Sequence, residues 1–257
     1  MKVLLIGDIV GSPGRDAVKK AIPLFRKKGV DFVIANGENA AGGSGLTPRI
    51  VNEILSMGVD VITSGDHIWK KKEVLEIITK ENRLLRPANY PAGVPGSGFC
   101  VYQRDDVKIA VINLVGRVFM NALEDPFLCV KKIINEIKKE TPNIFIDIHA
   151  EATSEKIAMA YFLDGAVTAV CGTHTHVQTA DEKIMKGGTA FITDLGMAGP
   201  MDSILGRKPE QIIERFITGM PVRFEMASED VQTQGAIVEF NPKTGKAVSI
   251  TRVAERF

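Results

Sequence analysis

Lys2-Val3-Leu4-Leu5-Ile6-Gly7-Asp8 opens the chain as an apolar run closed by a glycine and a carboxylate. A run this short and this apolar suits a strand buried on both faces. The form returns twice soon afterwards: Asp31 to Ala35 precedes Asn36-Gly37-Glu38-Asn39, and Val59 to Thr63 precedes Ser64-Gly65-Asp66-His67. Helices are expected between these strands. Ser12-Pro13 offers an N-cap with proline at the first helical position and Gly29 a stop, and Thr47-Pro48 with Gly58 repeats the pair of signals. A charged helix is predicted from about Lys70 to Glu81. The alternation predicts strands whose C-terminal ends share one edge, where open α/β sheets usually carry their sites.

Further along, residues 82–98 are rich in proline and glycine and read as an ordered loop. Phe99 to Gln103 and Val107 to Leu114 flank Arg104-Asp105-Asp106 as a hairpin. Helices are expected over Asp125 to Glu140, Ser154 to Leu163 and Pro209 to Ile217. Buried strands are expected over Asn143 to His149 and Ala166 to Cys171, the second running into Gly172-Thr173-His174-Thr175-His176. The C-terminal third adds strands near 221–227, 235–240 and 247–253. No repeat or composition break marks a second domain, so residues 1–257 read as one domain of two stacked sheets with outer helices.

Composition narrows the function. Hydrophobic residues make up 45% and charged residues 25% of the chain, enough for a substantial core. With 32 basic and 31 acidic residues the formal charge is +1, which argues against a chain built to coat nucleic acid. No apolar run reaches the roughly 18 residues of a membrane span, and the N-terminus lacks the form of a signal peptide. The widely spaced Cys100, Cys129 and Cys171 suggest neither a disulfide framework nor a thiolate zinc site, so a cytoplasmic location is expected.

All four histidines fall in the polar clusters that end predicted strands. Neutral imidazole with carboxylate or amide oxygen makes a mixed N/O shell suited to zinc, iron or manganese. In a regular strand His174 and His176 would share one face. Each cluster alone has a plainer reading: Asp8, Glu38 and Asn39 as caps, His67 packed beside Trp69, His149 as a core histidine. Those readings do not explain why no histidine occurs elsewhere, and the joint pattern points to a metal site. Gly42-Gly43-Ser44-Gly45 lacks the P-loop ending and reads as a turn. Cys171, on an apolar strand, reads as core, although a Cys–His pair with His174 or His176 is an alternative.

At these residues the sequence resembles the YmdB-like metallophosphoesterases of the calcineurin-like superfamily. The carriers are GDIVGSPGR, NGENAAGGSGLT, SGDHIW, DIHAEATSEK and GTHTHVQTAD, in order from residue 7 to 181, and DLGMAGPMDSILG at 194–206. The resemblance implies a four-layer α/β/β/α sandwich of two mixed sheets flanked by helices. It implies two divalent or mixed-valence metals, iron or manganese first and zinc or magnesium as alternatives. Asp8, Glu38, Asn39 and His176 match positions around one metal. Glu38, Asp66, His149 and His174 match those around the other, with Glu38 bridging. His67 matches the residue near the leaving group, and Asn39 helps fix the reacting oxygen. The implied reaction is hydrolysis of small phosphodiesters, notably 2′,3′-cyclic nucleotides, by a hydroxide formed between the metals. A phosphomonoesterase or phosphoprotein phosphatase, or a nucleotide- or RNA-end-binding regulator with little turnover, is the alternative. Asp66 departs from the Gly-Asn-His pattern of the family and adds a negative charge. A homo-oligomer is implied; a stable nucleic-acid complex and membrane attachment are not.

Overall fold

The computed structural model describes residues 1–257. In chain order its elements are β1 (Lys2–Ile9), α1 (Gly11–Lys27), β2 (Phe32–Asn36), α2 (Pro48–Ser56), β3 (Val61–Thr63), β4 (Phe99–Arg104), β5 (Val107–Val115), α3 (Pro126–Ile137), β6 (Ile144–His149), α4 (Thr153–Leu163), β7 (Ala169–Thr173), β8 (Lys183–Ile184), β9 (Ala190–Ile192), β10 (Met197–Pro200), α5 (Pro209–Thr218), β11 (Val231–Phe240) and β12 (Ala247–Arg256). They form two six-stranded mixed sheets, ordered β12-β11-β10-β1-β2-β3 and β4-β5-β6-β7-β9-β8. Within them β1, β2 and β3 run parallel, as do β5, β6, β7 and β9, so their C-terminal ends gather at one edge. No helix is long and apolar enough to cross a membrane.

The strand periodicity of two sorts side chains into layers. Along β1, Leu4 and Ile6 pack with Val18, Phe25 and Ile54 of the helices, whereas Val3 and Leu5 pack with Ile109, Phe145 and Cys171 of the other sheet. The outer face of the second sheet, with Ile146 and Ile148, buries Val130, Ile134 and Met159 of α3 and α4. The result is the expected α/β/β/α sandwich.

Four local expectations are corrected. Ser12 does not cap α1: the chain enters the helix directly from β1, with Val10 at the cap position and the Gly14 N–H donating to its carbonyl at 3.1 Å. The region 70–81 holds only a 3-10 turn over Lys72–Glu76, because Val74, Ile77, Ile78 and Thr79 favour helix weakly and the backbone bonds alternate between i−3 and i−4 partners. Residues 221–227 form no strand, apart from one bridge between Arg207 and Met226. Finally, β7 stops at Thr173, so His174 and His176 lie outside it in left-handed backbone, with φ of 103° and 62°. The Thr47 cap is present, accepting from Ile50 N, and Asp125 stands just outside α3 as its cap, accepting from Phe127 N and Leu128 N.

Candidate metal centre

The inter-sheet layer is apolar for most of its depth and turns polar at the C-terminal edge. There Asn36 of β2 reaches across to the second sheet, its amide donating to Asp147 Oδ2 at 3.0 Å. Thr173 donates to Asp147 Oδ1 at 2.7 Å, and Thr63 to Asp147 Oδ2. Burial, the largest influence on Asp147, raises its pKa to about 6 against the hydroxyl hydrogen bonds and the charge of His149. Asp147 belongs to the metal-capable residues at this strand end; the structure places it one layer beneath the centre, as support.

A bulge puts Asp8 in the same layer. The pairing of β1 with β2 runs from Ile6 opposite Ala35 to Asp8 opposite Asn36, so Gly7 is an extra residue. Were Gly7 paired regularly, Asp8 would share the face of Leu4 and Ile6, toward the helices; bulged out of the register, it lets Asp8 take the inter-sheet face. Gly7 is required there, since a Cβ would stand 2.1 Å from the Gly196 carbonyl oxygen. Gly65 is required for a related reason: its Cβ would lie 2.2 Å from His149 Cδ2 and 2.3 Å from Glu38 Oε2.

Above this floor Glu38, Asp66, His149 and His174 each direct a donor atom to a common point, all within 4.8 Å of one another. His149 Nε2 is 3.2 Å from Glu38 Oε1, 3.4 Å from Asp66 Oδ1 and 2.9 Å from His174 Nδ1. Asp66 Oδ1 is buried and has no hydrogen-bond partner. Beside this group, Asn39 Nδ2 faces Asp8 Oδ1 at 3.4 Å, Glu38 Oε1 at 3.0 Å and His176 Nε2 at 3.1 Å. His67 Nδ1 meets Asn39 Oδ1 at 2.8 Å, and the His67 backbone N–H donates to Glu38 Oε2 at 3.1 Å.

The imidazoles are oriented from behind. His149 Nδ1 lies 2.9 Å from Thr173 Oγ1, whose own proton goes to Asp147. His174 Nε2 lies 3.1 Å from Glu151 Oε2, and His176 Nδ1 lies 3.3 Å from the Leu205 carbonyl. With each outer nitrogen turned to an oxygen, the inner nitrogen is left facing the carboxylates, the neighbouring imidazole or the Asn39 amide. So many acceptors converging in a buried space require a cation or protons between them.

Electrostatics agree. Burial opposes charge on Asp8, but His176, His149 and the His174 backbone N–H outweigh it and hold the carboxyl well below its usual range. Burial likewise opposes ionisation of Asp66, yet contact with His149 brings it down to about 2. Against the cost of burial, the charge of Glu38 and the contact with Asp66 raise His149 well above the usual imidazole value. Burial and His149 lower His174. Asp8 and Asp66 are thus held anionic, and His149 is drawn to keep a proton among them, the position a cation would take.

Sequence reasoning missed the support for the histidine loop. Lys156 of α4, almost fully buried, donates to Asp194 Oδ2 at 2.7 Å. The same oxygen accepts from Thr175 N at 3.1 Å and Thr175 Oγ1 at 2.8 Å, while Asp194 Oδ1 accepts from Gly196 N at 2.8 Å. Left-handed non-glycine residues cost of order 1–3 kcal/mol, and this knot offsets that cost at His174 and His176. The only sequence signal is a carboxylate just after an apolar strand. The glycine-rich segment is a turn, as expected: Gly43 N donates to Asn39 O at 3.0 Å and Gly45 N to Glu38 O, leaving no cradle. Cys171 is core, its thiol pushed up by burial.

This sandwich, with an N/O centre at the strand ends, is a metallophosphoesterase architecture. Two solved structures superpose on the whole chain. A hypothetical protein from Thermus thermophilus gives a TM-score of 0.94 at 39% identity, covering 100% of this chain and 99% of that one. A novel phosphatase from Mycoplasma pneumoniae gives 0.93 at 34% identity, covering 100% and 93%. A 2′,3′-cyclic-nucleotide 2′-phosphodiesterase of Bacillus subtilis (strain 168) is 50% identical over 254 residues, 98% of this chain and 96% of that protein. Residues 4–253 match the family model described as YmdB-like protein, and the chain belongs to that family.

Proposed function

We propose that residues 1–257 act as one metallophosphoesterase domain hydrolysing 2′,3′-cyclic nucleotides. The observation that carries this reading is the convergence of one ring nitrogen from each of His149, His174 and His176 on Asp8, Glu38 and Asp66. Asp8, Glu38, Asn39 and His176 would hold one metal, and Glu38, Asp66, His149 and His174 the other. Asn39 presents its amide nitrogen to the first group; a half-turn about its terminal torsion would bring the oxygen inward. The N/O donors without thiolate favour iron or manganese, with zinc or magnesium as alternatives. Two such cations, when bound, lower the pKa of a water and offset charge on phosphoryl oxygens.

The chain's own groups do the rest. His67 is partly exposed and faces the Asn39 side-chain amide through Nδ1; with the Asn39 oxygen turned inward, its NH2 donates to that nitrogen and the His67 Nε2 proton goes to the departing ribose oxygen. A water oxygen bonds to phosphorus, the bond from phosphorus to O2′ breaks, and O2′ leaves as a hydroxyl on a 3′-monophosphate. That bond is chosen from the activity named for the Bacillus relative. The cavity over the centre, about 470 Å³, has room for one nucleotide.

The near-neutral charge supports a small ester over a stable nucleic-acid complex. Three free cysteines support a cytoplasmic setting, and exposed Leu128, Tyr161 and Phe162 support a homo-oligomer. The test is reconstitution with Mn²⁺ or Fe²⁺ followed by assay on adenosine 2′,3′-cyclic phosphate, a phosphopeptide and a simple monoester. Preference for the cyclic ester is expected. Preference for either monoester overturns the substrate. No turnover on any of them at full metal occupancy overturns the enzyme in favour of a binding protein.

A further inference from the structure

The cavity over the centre has a second wall that phosphoryl transfer does not use. It comes from the segment between β10 and β11, and includes Leu205, Ile212, Arg215, Phe216 and Phe224. This strap is fixed at three places. Arg207 donates to the Gly42 and Gly43 carbonyls at 3.2 and 2.9 Å. The Leu205 carbonyl meets His176 Nδ1. Lys208 N donates to Glu225 O at 3.1 Å and Ala227 N to Gly206 O at 3.0 Å, tying the ends of the strap together. Helix α5 on it buries no residue, so its apolar side chains contribute to surface and cavity rather than to a core.

Floor and wall ask for different chemistry. The floor, with Glu38, His67, His174 and His176, suits the phosphate end of a ligand. The wall is largely apolar and sets a cation over an aromatic ring, the Arg215 guanidinium 5.5 Å from the Phe224 ring centroid. A guanidinium on a phenyl ring is extended by a third planar π system, which an alkyl chain does not supply.

We propose that Phe224, with Arg215 and Phe216 beside it, is the platform on which the nucleobase stacks, making the strap the element that selects nucleotides among phosphodiesters. This rests on the hydrolase reading above for the phosphate end alone. A base on an aromatic side chain accounts for about 5- to 150-fold in affinity.

The test is calorimetric binding to the Mn²⁺-loaded protein of adenosine 3′-monophosphate, of 1-O-methylribose 3-phosphate, which lacks the base, and of octyl phosphate. The wild type is expected to bind the nucleotide at least about fivefold more tightly than the base-free ester. Phe224→Ala is expected to erase that difference while leaving the base-free affinity unchanged, and Phe224→Tyr to keep it. Equal affinity of the wild type for the nucleotide and the base-free ester, equal weakening of both by Phe224→Ala, or octyl phosphate binding as tightly as the nucleotide would each overturn the platform. Base-dependent binding without turnover would overturn the hydrolase reading and leave the platform standing.

Discussion

The first sheet supplies every oxygen donor proposed for the centre, and the second supplies every nitrogen. Asp8, Glu38, Asn39 and Asp66 stand at or just beyond the ends of β1, β2 and β3; His149, His174 and His176 stand at or beyond β6 and β7. Neither sheet alone has a mixed shell, so the centre exists only where the sheets are docked. The two halves are also built differently. The oxygen half relies on backbone devices, a bulge at Gly7 and close approach at Gly65. The nitrogen half relies on side chains and a carbonyl behind the rings.

The hardest blow to this division is the loss of the one residue common to both groups. Glu38→Ala is expected to lower kcat/KM by more than about 10³-fold, beyond the 10- to 100-fold typical of supporting residues, and to reduce bound metal measured by mass spectrometry. Full activity with full metal would end the proposal of a shared carboxylate. Next is the knot behind the histidine loop. Lys156→Met leaves Asp194 buried without its cation and is expected to cost about 3–5 kcal/mol in urea unfolding. A loss below about 1 kcal/mol would show that Thr175 and Gly196 suffice to hold Asp194.

If the centre joins the sheets, metal should stabilise the whole fold. At a free concentration one hundred times Kd the gain per site is about 2.7 kcal/mol, read as a rise in unfolding midpoint that EDTA reverses. A midpoint indifferent to metal, with binding verified, would separate the site from sheet docking. The mildest perturbation is Thr173→Val, which removes the acceptor for His149 Nδ1–H. Metal affinity is expected to fall about 10- to 100-fold, while Thr175→Val, which touches Asp194 rather than an imidazole, should fall less. The reverse order would mean that the loop matters more than ring orientation.

Much of this is legible in the sequence. The apolar runs before Asp8, Asn36 and Ser64 announce parallel strands, and the order of polar clusters places their ends at one edge. The four histidines, confined to those ends, mark the centre. What escapes reading depends on contacts distant in sequence. Lys156 looks like one more helical lysine until α4 is laid against Asp194. Phe216 and Phe224 look like scattered aromatics until the strap is folded over His176. The helix expected at 70–81 does not form because the β-branched Val74, Ile77 and Ile78 outweigh the charge spacing that suggests it.

By itself, then, the sequence determined the donor types and the strand ends that carry them, because burial and turn chemistry are local and write themselves into residue order. Only the tertiary structure decided which way each donor points. Asp8 faces inward because the pairing of β1 with β2 and the nearby Gly196 carbonyl accommodate an extra residue at Gly7. His174 and His176 diverge, one to Asp66 and one to Asp8, because the chain turns left-handed where Asp194 holds Thr175. Orientation is set by hydrogen bonds between separate elements, from 19 residues apart where Thr175 meets Asp194 to 111 apart where Asn36 meets Asp147, and no local pattern encodes those.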